Sequence, residues 1–328
     1  MGGKTQEIGR TMNFKKLLVC AGLVGVSAFG VGCGGDDTTP VTPDGGGPVC
    51  NAAALMTGTT HTYVINLLSI AGPEGDAAPF TSAGYNVDHD AVVACNSHVV
   101  GETAEFNGQA PDNGSGIDNA LGGDLGGLAN DSLQGSLDDG SVLLVVEVRG
   151  VDDTTNDSCV GVTFYIGKLQ PGVTAPMVDG MGHLVAGQTF DVTTDSFVDG
   201  AGGMNPAIRF DSSRIVGGRL QAGPANFPLA LNLLGASLAL TIKEAQIRFD
   251  ISHETISAGV LGGYLNTQEV IDTVNGIPSL AMYADVVAST LTSLADIDEN
   301  ASADSCEAGS IALKLSGVMA TRGNVVAP

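Results

Sequence analysis

Between Val160 and Lys168 the side chains alternate, with Val160, Val162, Phe164 and Ile166 set against Gly161, Thr163, Tyr165 and Gly167. A period of two sends successive side chains to opposite faces, which fits a strand and not a helix. Upstream, Ser141 to Arg149 is an almost unbroken apolar run, and the acidic loop between the two runs reads as the turn of a β-hairpin. Farther on, Leu238, Leu240 and Ile242 keep one parity and Ile247, Phe249 and Ile251 the other, so a bulge or turn near Lys243 to Gln246 has to absorb the shift. Glycine supports the same reading. The 328-residue chain has 47 of them, no Trp and only 5% aromatics, a mix that suits strands joined by tight turns and argues against a long helical bundle.

Two segments echo each other. Arg209-Phe210-Asp211-Ser212 leads to Gly217-Gly218-Arg219-Leu220, and Arg248-Phe249-Asp250-Ile251-Ser252 leads to Gly262-Gly263-Tyr264-Leu265. Both read as strand, turn and strand, and convergent hairpin chemistry in a Gly-rich chain explains them better than a duplicated binding surface. Helical spacing is sparse. Leu121, Leu125 and Leu128 follow Asp118-Asn119, a plausible N-cap for a Gly-weakened helix over 118 to about 137, with further helices expected over Thr267 to Asn275 and Ser279 to Ala295. The fold class is therefore mainly β, a β-sandwich or an α+β domain, with two or three short helices.

The N-terminus carries an address. From Met12, Lys15 and Lys16 precede the apolar run Leu17 to Gly32, which is short for a membrane span and reads as a signal peptide over 12–32. It ends in Gly30-Val31-Gly32-Cys33, which resembles the lipobox of bacterial lipoproteins, with Gly30 where leucine is usual. That resemblance implies cleavage before Cys33 and diacylglycerylation of its thiol, a membrane anchor through two or three acyl chains. Residues 33–49 are the lipidated cysteine and a Gly, Asp, Thr and Pro tether, which leaves residues 50–328 as the extracytoplasmic domain. The pattern as a whole is similar to envelope lipoprotein families of myxobacteria, to which no activity is assigned. Gly34 in place of Asp after the cysteine implies sorting to the outer membrane.

Charge narrows the partners. Four of the 13 basic and one of the 36 acidic residues precede Cys33, which leaves nine basic and 35 acidic groups, net −26, in the mature chain. Phosphate backbones require a basic face, so nucleic acid is excluded as a partner. Four cysteines remain after Cys20 and Cys33, namely Cys50, Cys95, Cys159 and Cys306. An oxidising compartment makes them two disulfides, with Cys50–Cys95 and Cys159–Cys306 the favoured pairing of three. No short CxxC spacing points to zinc, and Asp88-His89-Asp90 with Cys95 and His98 fits no ligand pattern.

The catalytic motifs are equally thin. Gly114-Ser115-Gly116 lacks the outer glycines of a nucleophile elbow, and the glycine clusters at 122–127 and 200–203 lack the context of a nucleotide site. One segment has cation-ligand spacing. Asp296, Asp298, Asn300, Ser302, Asp304 and Glu307 fall on positions 1, 3, 5, 7, 9 and 12 of an EF-hand-like loop, so calcium is the one cofactor to consider. Ala301 stands at position 6 where glycine makes the sharp turn, a strand-like Ile311 to Val318 follows instead of a helix, and an acidic solvated loop is the plainer reading. The expectation is a lipid-anchored envelope protein with a non-enzymatic binding or structural role. An envelope hydrolase with a scattered site and a carrier of an apolar ligand, the latter suggested by the Leu-rich Phe227 to Ile242, are the alternatives.

Overall fold

The computed structural model describes residues 50, 55, 57–72, 83–85, 87, 96–97, 118–233, 236–299 and 306–328. The signal segment 12–32, Cys33 and the tether 33–49 lie outside them, as do His89, Cys95, His98 and the loop residues Asn300, Ser302 and Asp304. The strands are β1 (Thr59–Ile70), β2 (Asn96–Ser97), β3 (Leu144–Val151), β4 (Asn156–Leu169), β5 (Gln188–Thr193), β6 (Ile208–Val216), β7 (Arg219–Leu233), β8 (Ala236–Ile251), β9 (Thr255–Asn266), β10 (Ile297–Asp298) and β11 (Ala308–Val326). The helices are α1 (Gly122–Asp138), α2 (Thr267–Gly276) and α3 (Ala284–Leu294).

The mainly β expectation holds, but instead of two facing sheets one sheet closes on itself. Strands β1, β3, β4, β6, β7, β8, β9 and β11 pair antiparallel in that order, and β11 returns to β1 with Tyr63 opposite Met319 and Ile70 opposite Leu313. The result is an up-and-down barrel whose closure satisfies the ladder that would otherwise form an open edge. Alternation decides which residues line it. Val146 and Val148 of β3, Val160, Val162 and Phe164 of β4, Phe210 of β6, Phe227 of β7, and Ile247 and Phe249 of β8 meet in the interior core. Phe164 stands edge-on to Phe227 at 5.0 Å between ring centres, and to Phe210 at 6.4 Å. Each such side chain contributes about 1.5–3 kcal/mol through its removal from water.

The expected β3–β4 hairpin is present, with Leu144 opposite Ile166 and Arg149 opposite Gly161. The parity change in β8 is a bulge inside one strand. The register against β9 shifts between Lys243 and Gln246, Glu244 takes a positive φ of 48°, and Ile242 and Ala245 are both buried. A classic alternation would expose one of those two; the extra residue lets both face the core.

The two diglycines have different roles. Gly217 and Gly218, at φ 60° and 82°, form the two-residue turn between β6 and β7, a primed hairpin geometry that needs positive φ at both places. Gly262 and Gly263 lie within β9, where a Cβ would come within 2.7 Å of the Tyr85 ring and 2.5 Å of the Lys243 carbonyl. The echo is therefore not a repeated hairpin.

The barrel's ends differ. One rim carries three tight turns, 152–155, 217–218 and 252–254, laced together by Gly218 N–H donating to the Thr155 carbonyl and Ile251 N–H to that of Gly218. The other end bears every long connection, including all three helices. There β1 pairs with β3 only from Thr59 to Val64, and beyond that point α1 takes the vacated edge. The Asn130 amide accepts from Ile70 N–H at 2.7 Å and donates to its carbonyl at 3.0 Å. One turn on, Gln134 accepts from Leu68 N–H and donates to the Asn66 carbonyl. Two amide side chains at i and i+4 thus stand in for a neighbouring strand.

The helix itself starts four residues later than the sequence predicts, at Gly122 after Leu121, with no side-chain cap. Asn119, the expected cap, is drawn instead into the barrel wall. Its amide donates to the Ala71 and Ala83 carbonyls and accepts from Ala312 N–H. Helix α2 forms where expected, capped by Asn266 accepting from Glu269 N–H, whereas α3 starts at Ala284 instead of Ser279, and the two bury Val270, Val274 and Leu291 in the same core.

A second layer covers part of the barrel's outside. Strand β5 pairs parallel with β11 and antiparallel with the end of β4, and Leu184, Phe190, Val192 and Phe197 pack on the outward residues Val64, Val145 and Tyr165. The favoured disulfide pairing is overturned. Cys50 is bonded to Cys159 on β4, with Cα atoms 5.2 Å apart, while Cys306 is bonded to a partner outside the described residues. The expected pairing rested on Cys50 and Cys95 flanking the N-terminal segment while Cys159 and Cys306 bracket the bulk of the domain; the barrel instead sets Cys159, near the start of β4, beside Cys50.

Candidate functional site

The side chains singled out for calcium are turned to structural tasks where they are described. Asp296 accepts from both Ser310 N–H and Ser310 Oγ, which ties the α3–β10 connection to β11. Ile297 pairs with Ala308, so the segment opens as a two-residue strand with Asp298 2% exposed. Glu307 closes it by accepting from Glu299 N–H at 3.2 Å. Among the described residues no group of three or more His, Cys, Asp or Glu could hold a metal.

Glu147 and Arg248 are likewise paired into the fold. On the outer face of β3 and β4, Glu147 accepts from Tyr165 Oη at 2.9 Å and pairs with Arg322 at 3.2 Å, and that guanidinium lies 5.0 Å over the Tyr165 ring. Arg248 lies 4.8 Å over Tyr85 and donates to the Gly84 carbonyl. Ser310, whose hydroxyl donates to Asp296, is fully buried. The Leu-rich Phe227 to Ile242 belongs to β7 and β8, and Phe227, Leu229, Leu238 and Ile242 lie in the barrel core.

Unusual apolar exposure singles out the excursion between β4 and β6. Val173, Met177, Val178, Met181, Val198 and Met204 all lie in it and all are exposed, Met181, Val198 and Met204 by 76–79%. Isolated exposed apolar side chains are ordinary; a concentration of them on one segment makes it a candidate contact surface. The segment is stiffened from below. Asp179 accepts from Met181 N–H at 2.8 Å and His183 N–H at 3.0 Å, and Gly182 closes the turn at φ 95°. Those backbone donors hold the Asp179 carboxyl below its usual range. Asp199 does the same for the neighbouring loop, accepting from Met204 and Asn205 N–H, with Gly203 at φ 62° resting on Val325.

Met181 and Met204 are thus presented by turns whose backbone is already fixed, and Met177 N–H is held by the Gln188 side chain. A pliable thioether side chain on a rigid turn adapts to an apolar partner at little cost in backbone entropy. The sequence carries one signal for it that periodicity does not read: three of the chain's eight methionines, Met177, Met181 and Met204, occur between two strands in a loop.

Compared with known proteins, the chain matches no family model, no curated protein and no solved structure.

Proposed function

We propose that the chain is a lipid-anchored protein of the bacterial outer membrane, held through Cys33 and a tether of residues 33–49, with a non-enzymatic binding role. The single observation that carries the binding role is the exposed Met and Val surface of residues 173–204 on a rigid barrel. The anchor is supported by the lipobox-like run to Cys33 and the tether composition. In this reading the barrel is a platform, and its partner is an envelope protein with an apolar contact patch.

The test uses the full-length chain in cells of the source type. A photo-crosslinking amino acid is placed at Met181, at Met204 and, as a control on a different excursion, at Met282. The reading requires a discrete protein adduct from Met181 and Met204 in the membrane fraction and none from Met282. Equal labelling from all three positions, or none from the first two, overturns the binding surface. Cys33→Ser addresses the anchor separately by releasing the protein to the soluble fraction, and an unacylated mature mass in the wild type overturns that part alone.

A further inference from the structure

At the tight-turn rim two histidines face each other, one on the first strand of the barrel and one in the β8–β9 turn. The ring centres of His61 and His253 lie 4.8 Å apart, the planes tilted by 54°. His61 shares the inward parity of Tyr63 and Ile65, and its ring stacks above Tyr63 at 6.4 Å. Tyr63 in turn donates to the Ser252 carbonyl, which fixes the turn that presents His253.

The hydrogen bonds of His61 settle its tautomer. Thr59 Oγ1 lies 2.9 Å from the Val151 carbonyl and 3.0 Å from His61 Nε2. A carbonyl oxygen only accepts, so the single hydroxyl proton of Thr59 goes to Val151. Toward His61 the hydroxyl oxygen is then the acceptor, and Nε2 carries the proton. The lone pair of the neutral ring is left on Nδ1, which has no hydrogen-bond partner among the described residues. Neither nitrogen of His253 has one either. Burial, and secondarily His253, hold His61 below its ordinary pKa.

An imidazole whose far N–H is held by an outer acceptor, itself anchored to the backbone, is the arrangement that orients a metal-ligating histidine. We propose that His61, through Nδ1, and His253 form a two-histidine seat for a borderline divalent transition metal such as Cu2+ or Zn2+, with water completing the coordination. Thr59 is a positioning residue that fixes the His61 tautomer. Imidazole nitrogens favour these ions over Mg2+ and Ca2+, so the acidic surface does not compete for the same metal on equal terms. Two protein ligands leave open positions, which makes the rim a place where a further ligand or a second protein can complete the shell.

The experiment titrates the full-length chain, purified in detergent, with Cu2+, reading stoichiometry by calorimetry and nitrogen coupling by electron paramagnetic resonance, with excess Ca2+ present to occupy carboxylates. The expected result is one tight equivalent with two coordinated nitrogens. His61→Gln and His253→Gln each remove that equivalent, His183→Gln leaves it, and Thr59→Val keeps the stoichiometry but weakens binding about 10-fold. His253 is exposed in a turn, so its substitution leaves a folded chain to measure even if His61→Gln does not fold. An unchanged tight equivalent in His253→Gln overturns the site. Unchanged affinity in Thr59→Val overturns the tautomer argument.

Discussion

The two ends of the barrel solve one problem in opposite ways. At the turn rim, consecutive strands are joined by links of two to four residues, and the polar backbone of each turn is satisfied by the next turn, as with Gly218 between Thr155 and Ile251. At the helix-bearing end the strands splay, β1 loses β3 after Val64, and side chains do the work that backbone does elsewhere. The lesson is that closing a small barrel does not demand a complete ladder. A helix bearing two amides one turn apart restores the missing hydrogen bonds and adds Ala129, Leu133 and Leu137 to the core. The turn rim is held by chain connectivity and a disulfide, the far end by packing, so the two should fail differently.

The largest effect is expected at the turn rim. Cys159→Ser opens the bridge to Cys50, a cross-link spanning 109 residues, and is expected to cost about 4 kcal/mol, chiefly by freeing the unfolded chain. Urea unfolding checks it, with the free thiol of Cys50 as proof that this bond and no other was lost. Because the cost falls on the unfolded state, native-state hydrogen exchange at the far end should keep its pattern. A selective loss of protection in α1 would break the division between the two ends.

Asn130→Leu is the matching test at the far end, and its expected cost is about 3 kcal/mol, since it leaves Ile70 N–H and C=O buried without a partner. Here exchange should change locally. The amide of Ile70 loses protection while that of Leu68, held by Gln134, and those of Tyr63 and Ile65, paired in the ladder, keep theirs. If protection falls evenly along β1, α1 is packed against the barrel without substituting for a strand.

These contrasts also explain what could be read from the sequence. The β3–β4 hairpin was legible because both its pairing and its burial follow a local period, and the β8 bulge because Ile242 and Ile247 disagree in parity. Closure was not, because Tyr63 opposite Met319 is a pairing between residues 256 apart that leaves no mark on neighbouring positions. Asn130 and Gln134 were opaque for a related reason: an amide on a weak, Gly-rich helix looks solvated until a strand edge lies beside it. The disulfides failed on the same point, since four cysteines allow three pairings and only the barrel chooses Cys159 for Cys50. At the candidate surface, the exposure of Met181 and Met204 depends on the Asp179 and Asp199 turns, which no alternation announces.

The smallest effect sharpens the comparison from the side of charge, because the turn rim is where a titrating group meets the core. His61 is held below its ordinary pKa first by burial and then by the neighbouring His253. The unfolded chain therefore takes up a proton at His61 at a higher pH than the folded one does. Wherever the unfolded state binds more protons, stability rises with pH, so it falls as pH drops below the usual histidine value and levels off once folded His61 is protonated too. Above that window the residue contributes no pH dependence. The check is the urea midpoint at pH 7.5 and at pH 5 for the wild type and for His61→Gln. The variant should lose less on acidification, and the difference should be confined to this window. The carboxylates, whose titration lies mostly lower, give both proteins the same background. If the two lose stability in parallel, the rim tolerates an inward charge as readily as the exposed surface does, and burial is not what holds His61 below its ordinary pKa.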